Sequence, residues 1–149
     1  MKANKKVTLL GVLLLIVIML PSCAKHQPGY GLTLADIPTE AMPTSSDAES
    51  DLIFYVEDVT PEGMTLRFSC NFLGGYGYSL DRYDGTEWQP AKLRLGANTI
   101  IPAVAIFFYA DTPQTVNWTQ DYGTLPPGAY RYVKSVGNIA HYAYFEIPQ

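Results

Sequence analysis

The clearest pattern in the chain is an uninterrupted alternation of apolar and polar residues over "GMTLRFSCNF", residues 63–72. A period of two puts successive side chains on opposite faces of a strand, so this segment is predicted to have one buried and one solvated face. The predicted buried face consists of Met64, Leu66, Phe68, Cys70 and Phe72.

Seven further segments have the composition of short strands bounded by turn residues. They are "DLIFYVEDV" before Thr60–Gly63, "GYSLDRY" and "TEWQPA" around Asp84-Gly85, "AVAIFFYA", "QTVNWTQ", and "GAYRYVKSV" and "HYAYFEI" around Gly137-Asn138. Asp-Gly between two strands suits a two-residue hairpin turn. No segment shows a helical period. The pattern predicts an all-β antiparallel sandwich of about seven or eight strands over residues 51–149, with the strand order of residues 91–111 left open.

The first 22 residues are predicted to be a signal peptide. Lys2, Lys5 and Lys6 precede a 14-residue apolar stretch, Val7 to Leu20. Crossing a bilayer takes about 20 apolar residues, so this stretch is short for a membrane span and typical of a signal-peptide core. A transmembrane anchor remains the alternative for this segment.

The apolar stretch ends in "LPSC", which resembles the lipobox of bacterial lipoproteins. Leu20, the small Ser22 and Cys23 match that pattern, whereas Pro21 is an unusual residue at its variable position. The resemblance implies cleavage before Cys23 and attachment of acyl chains to its Sγ atom, and two or more chains anchor a protein stably. The expected location is extracytoplasmic, with the membrane as a partner through the lipid. An ordinary signal peptide with an incidental cysteine is the alternative.

Residues 23–50 are predicted to be the lipidated N-terminus and a flexible tether. The stretch is rich in Pro, Ser, Thr, Asp and Glu and lacks a sustained period. The net charge of the whole chain is −4, and removal of the signal peptide would also remove three lysines. An acidic domain disfavours nucleic acid as a partner.

The segment "TLPPGAYRYV" has the form of a tyrosine corner, in which a tyrosine hydroxyl donates to backbone a few residues upstream. The residues that fit this form are Leu125, Pro127, Gly128 and Tyr130. The acceptor for Tyr130 is expected near Thr124 or Leu125, and a tyrosine that is merely packed in the core is the alternative.

Residues for catalysis or metal binding are sparse. His26 and His141 are the two histidines, and no His, Cys and Asp cluster has the spacing of metal ligands. We therefore expect no catalytic residues, no metal and no cofactor, with His141 solvated at the start of the last strand. If Cys23 is lipidated, Cys70 has no disulfide partner and is expected to be a buried, reduced thiol.

Aromatic residues suggest a binding surface near one hairpin. Tyr76, Tyr78, Tyr83 and Trp88 lie within 13 positions of each other, in a chain with 11 tyrosines. Such rings could stack on the sugars of a cell-wall glycan or contact an envelope protein. The alternative is that these rings pack in the core and over the sheet faces.

Taken in order, "VEDVTPEGMTL", "YSLDRYDGTEW" and "VNWTQDYGTLPPGAYRYVK" resemble the bacterial immunoglobulin-like domain of Gram-positive lipoproteins, a domain also found in some membrane metallopeptidase-type sensors. The resemblance spans residues 52–147 and implies an immunoglobulin-like Greek-key sandwich. It implies a surface module for binding, sensing or envelope interaction, and it supplies no catalytic residues. A proteinase-inhibitor-like sandwich with a similar "LPPG-x-Y" turn is the alternative function.

Overall fold

The protein is an all-β antiparallel sandwich in the computed structural model, which describes residues 32–47, 49–97 and 103–149. Two single-turn 3-10 helices, Leu34–Asp36 and Thr39–Ala41, precede the strands. The nine strands of the described residues are β1 (Phe54–Thr60), β2 (Gly63–Phe68), β3 (Phe72–Gly74), β4 (Ser79–Tyr83), β5 (Trp88–Pro90), β6 (Ile106–Phe108), β7 (Gln114–Asn117), β8 (Gly128–Val136) and β9 (Ile139–Ile147).

Two larger sheets enclose the core, one in the order β1-β2-β7 and the other in the order β5-β4-β8-β9, and β3 and β6 form a third, two-stranded sheet. Alternating residues of each strand face inward, as expected for half-buried strands. The first sheet contributes Leu66 and Phe68, and the second contributes Leu80, Tyr130 and Phe145. These side chains form one continuous buried cluster, so the two layers share a single hydrophobic core.

The predicted strand 63–72 keeps its inward face but is divided by a bend. Met64, Leu66, Phe68 and Phe72 are buried, as predicted from their alternation. β2 pairs with β7 and β3 pairs with β6, and the pair Phe72–Phe108 continues the register of Leu66–Gln114 without a shift. At the bend, the Ser69 hydroxyl donates to Asp51 O and accepts from Ile53 N–H. The strand count of nine exceeds the predicted seven or eight because the bend interrupts the pairing.

Three hairpins connect neighbouring strands. β1 and β2 are joined through Pro61-Glu62, and β8 and β9 through Gly137-Asn138, as the turn residues predicted. The two-residue turn predicted at Asp84-Gly85 is wrong, because Tyr83 pairs with Trp88 and the loop contains four residues. The Asp84 carboxylate accepts hydrogen bonds from both the N–H and the hydroxyl of Thr86, which stabilises the longer loop.

Tyr130 donates to backbone upstream, as was expected, but to a different acceptor. Tyr130 is 1% exposed, and its hydroxyl donates to Pro126 O at 2.8 Å. The acceptor was expected near Thr124 or Leu125 and lies one residue beyond Leu125. The indole of Trp118, the most buried large side chain, donates to Pro61 O at 2.9 Å. Both bonds tie loops to the core where the chain passes from β7 to β8.

The prediction of a flexible tether up to Ser50 is corrected for residues 32–47. Ile37 is 6% exposed and packs with Tyr83 and Ala129 on the outer side of the second sheet. Residues 44–46 run antiparallel to β9, with Tyr142 N–H donating to Thr44 O at 2.8 Å. The apolar residues of this segment cover a sheet face that would otherwise be exposed, which is the physical reason for its order.

Candidate ligand cleft

The structure divides the four aromatic residues of the predicted binding surface into two pairs. Tyr76 is 58% exposed, and Tyr78 packs against the core beside it. Tyr83 is buried, and Trp88 is half-buried on the outer side of the second sheet. The side chains of one strand alternate between the two faces of the sheet, so these residues do not form a single strip.

Tyr83 and Trp88 belong to a contact between the second sheet and residues 32–47, the N-terminal segment. Their ring centroids lie 5.2 Å apart, and the Trp88 indole donates to Ala41 O at 2.8 Å. The Arg131 guanidinium stacks on Trp88, with its central carbon 5.0 Å from the ring centroid, and forms an ion pair with Asp81 at 2.8 Å. The Trp88 indole N–H therefore has a partner within the protein, and the Tyr83–Trp88 pair stabilises the fold.

Tyr76 and Tyr78 lie at a cleft of about 360 Å³ between the two sheets. This volume falls within the range of small-molecule sites, which are mostly apolar with a few polar groups. The residues that line the cleft are Leu66, Phe68, Tyr76, Tyr78, Ile106, Phe108, Gln114, Thr115, Val116, Asn117, Tyr132 and Lys134. Tyr78 and Tyr132 stack with centroids 5.0 Å apart and form an aromatic wall. The cleft therefore combines ring faces, amide groups and one cation.

Lys134 connects the core to the loop that carries Tyr76. It occupies an inward position of β8, two residues after Tyr132, and is 3% exposed. Its ammonium donates to the carbonyl oxygens of Gly75 and Gly77, the latter at 3.2 Å. These carbonyls flank Tyr76 on both sides. Lys134 therefore fixes the loop from inside and holds the Tyr76 ring at the mouth of the cleft.

The Lys134 ammonium has no carboxylate partner among the described residues. Their two ion pairs use Arg67 and Arg131. Burial lowers the pKa of Lys134, because desolvation disfavours its charged form. The same physical cause raises the pKa of Tyr132, and burial together with the charge of Asp121 raises that of Tyr78. The cleft is thus a weakly solvated environment that contains one cation.

Lys134 was not among the residues predicted from the sequence to form a site. Charged residues are usually solvated, and this lysine was read as part of an ordinary strand. The alternation of the strand could have identified this lysine, because in "YRYVK" Lys134 lies on the same face as Tyr130 and Tyr132. A lysine at an inward position must find a partner, and the neighbouring glycine-rich loop provides main-chain carbonyls.

A second apolar surface lies on the opposite side of β6 from the cleft. Ile106 and Phe108 face the cleft. Phe107 and Tyr109 face outward, and their ring centroids lie 4.9 Å apart. Leu73, the partner of Phe107 in the β3–β6 pair, is exposed as well. Tyr109 is 59% exposed, nearly the same as Tyr76, and therefore provides a matched residue outside the cleft.

The histidine and cysteine of the domain are placed differently from expectation. His141 was predicted to be solvated, but it is 2% exposed because it faces inward on β9. Its Nδ1 lies 3.1 Å from Leu52 O, and its ring stacks on that of Phe54 with the ring centroids 5.5 Å apart. Cys70 is a free thiol that is half-buried at the bend after β2. In the described ranges, no three His, Cys, Asp or Glu side chains are arranged to hold a metal ion.

The predicted lipidation residue Cys23 and the recognition residues Leu20 and Ser22 lie outside the described residues. Within residues 32–47, 49–97 and 103–149, no helix is long and apolar enough to cross a membrane.

Comparisons with protein-family models, curated proteins and solved structures found no match for this chain.

Proposed function

We propose that this protein is a non-catalytic binding module, anchored outside the cytoplasm by a lipid on Cys23, and that its cleft binds a glycan of the cell envelope. The observation that carries the proposal is the placement of Tyr76, whose exposed ring stands at the mouth of the cleft while Lys134 fixes both flanking carbonyls. Because the loop already fixes the Tyr76 ring in the unbound protein, the ring loses little conformational freedom on binding, which favours affinity.

The chemistry of the lining supports a sugar as ligand. Tyrosine rings offer flat apolar faces with polar edges, which suit the faces and hydroxyl groups of a sugar. Gln114 and Asn117 add amide groups at the same cleft. Among the described lining residues there is no His, Asp or Glu. This composition favours binding over general acid–base catalysis.

The strand order supports an immunoglobulin-like Greek key. A sheet β1-β2-β7 faces a sheet β5-β4-β8-β9, and the connections β2 to β4, β5 to β7 and β7 to β8 pass between the sheets. The hydroxyl bond from Tyr130 to Pro126 O lies at the last of these connections, as in a tyrosine corner.

The location part of the proposal follows from Leu20, Ser22 and Cys23 and is tested by mass spectrometry of the mature N-terminus. A diacylglyceryl-modified Cys23 at the first position is expected, and an unmodified Cys23 would contradict the anchor.

The binding part is tested with the lipidated protein and cell-wall glycan prepared free of protein. Tyr76→Ala should weaken retention at least about tenfold, whereas the matched variant Tyr109→Ala should behave like the parent chain. Equal retention of both variants would overturn the assignment of the cleft. Retention only on the envelope-protein fraction would overturn the glycan and indicate a protein partner.

A further inference from the structure

The one charged group inside the cleft has hydrogen-bonding capacity left over. A lysine ammonium has three donors, and Lys134 uses two of them on Gly75 O and Gly77 O. Its remaining surroundings include the Phe108 ring, whose centroid lies 5.0 Å from Nζ and which also lines the cleft. A donor and a positive charge are therefore available to whatever enters the cleft.

A neutral ligand would leave this charge uncompensated. Burying a charge away from water is costly unless it is paired, and main-chain carbonyls supply only partial negative charges. Lys134 belongs to neither of the two ion pairs of the described residues, and burial alone lowers its pKa. An anionic ligand group would supply the missing countercharge through a charge-assisted hydrogen bond, which is stronger than a neutral one.

We propose that the ligand of the cleft carries a carboxylate that binds to the Lys134 ammonium while its sugar ring lies against Tyr76. This inference rests on the proposed function of the cleft as a glycan site and adds the charge of the ligand. The two contacts are compatible, because Lys134 donates to the carbonyls on either side of Tyr76 and so lies beneath the loop that presents the ring.

The test uses two sugars that differ in one group. N-acetylmuramic acid carries a carboxylate on a lactyl ether, and N-acetylglucosamine has the same ring without it. Calorimetric titration of the lipidated protein in detergent should show at least about tenfold tighter binding of the acid. Lys134→Met, which keeps the length of the side chain, should abolish this preference. Lys92→Met removes an exposed lysine outside the cleft and should leave the preference unchanged.

A measurement on the parent chain covers the case in which Lys134→Met fails to fold. The pKa of Lys134, followed by NMR of its side chain, should rise when N-acetylmuramic acid is added and stay constant with N-acetylglucosamine. Equal affinity for the two sugars, with binding still sensitive to Tyr76→Ala, would overturn the carboxylate and leave the glycan site intact. If neither sugar binds or shifts Lys134, the carboxylate inference is wrong, and the retention experiment alone decides the proposed function.

Discussion

The hydroxyl of Tyr130 ties the start of β8 to the loop before it, and its removal should cost stability. The Tyr130 ring is 1% exposed and stacks on Phe145 with centroids 5.5 Å apart, so Tyr130→Phe keeps this packing and deletes the bond to Pro126 O. A hydrogen bond contributes about 0.5–1.5 kcal/mol, and the carbonyl left without this partner adds a desolvation cost. We expect a loss of about 1.5 kcal/mol in the free energy of unfolding.

The assay is urea unfolding with thermal unfolding as a check. A loss of about 1.5 kcal/mol corresponds to a fall in Tm of about 6 °C for a domain of this size. Tyr132→Phe is the matched control, since this ring is also buried on β8 and its hydroxyl has no hydrogen bond within the described residues. The control should change stability by less than about 0.5 kcal/mol. Equal losses in both variants would refute a specific role for the corner hydroxyl.

Three further predictions concern stability. Burial lowers the pKa of His141 in the folded protein, so as pH falls the unfolded chain binds a proton at a higher pH than the folded chain does. The free energy of unfolding should therefore fall as pH drops below about 6.5. His141→Gln should flatten this dependence in urea titrations at about pH 5–8. Ile37→Ser should cost about 2 kcal/mol and speed proteolysis of residues 32–47, whereas unchanged protease sensitivity would argue against a packed segment. Gly63→Ala should destabilise strongly because its Cβ would collide with Val116 O, whereas Gly75→Ala meets nothing closer than 3.9 Å.

The alternation of residues was sufficient to predict the core of the first sheet. Met64, Leu66 and Phe68 are buried because a strand that faces a core on one side must alternate. The bend at Ser69 was not predictable from this pattern, since it depends on hydrogen bonds to Asp51 and Ile53, which lie before β1 and are distant in sequence. Local pattern thus determined which residues face inward, whereas contacts distant in sequence determined where the pairing stops.

The order of the N-terminal segment was missed for a related reason. Its apolar residues follow no helical or strand period and are separated by Pro38 and Thr39, so the segment has the composition of a linker. Ile37 is buried because Tyr83 and Ala129 provide a complementary surface on the second sheet. Composition describes a segment in isolation and cannot report such a surface elsewhere in the fold.

The candidate site was predicted only in part. Tyr76 and Tyr78 were correctly placed near each other, but Tyr83 and Trp88 lie under the N-terminal segment. Lys134 is 57 residues or more from the loop it contacts, a pairing that no short motif could reveal.

The most direct test of the central claim is an NMR map of the ligand site on the isotopically labelled protein. On addition of cell-wall glycan fragments, the account predicts shift changes at Tyr76, Tyr78, Asn117 and Lys134, which line the cleft. Shift changes confined to the outward-facing Tyr109 and its neighbours, or none at saturating glycan, would contradict it.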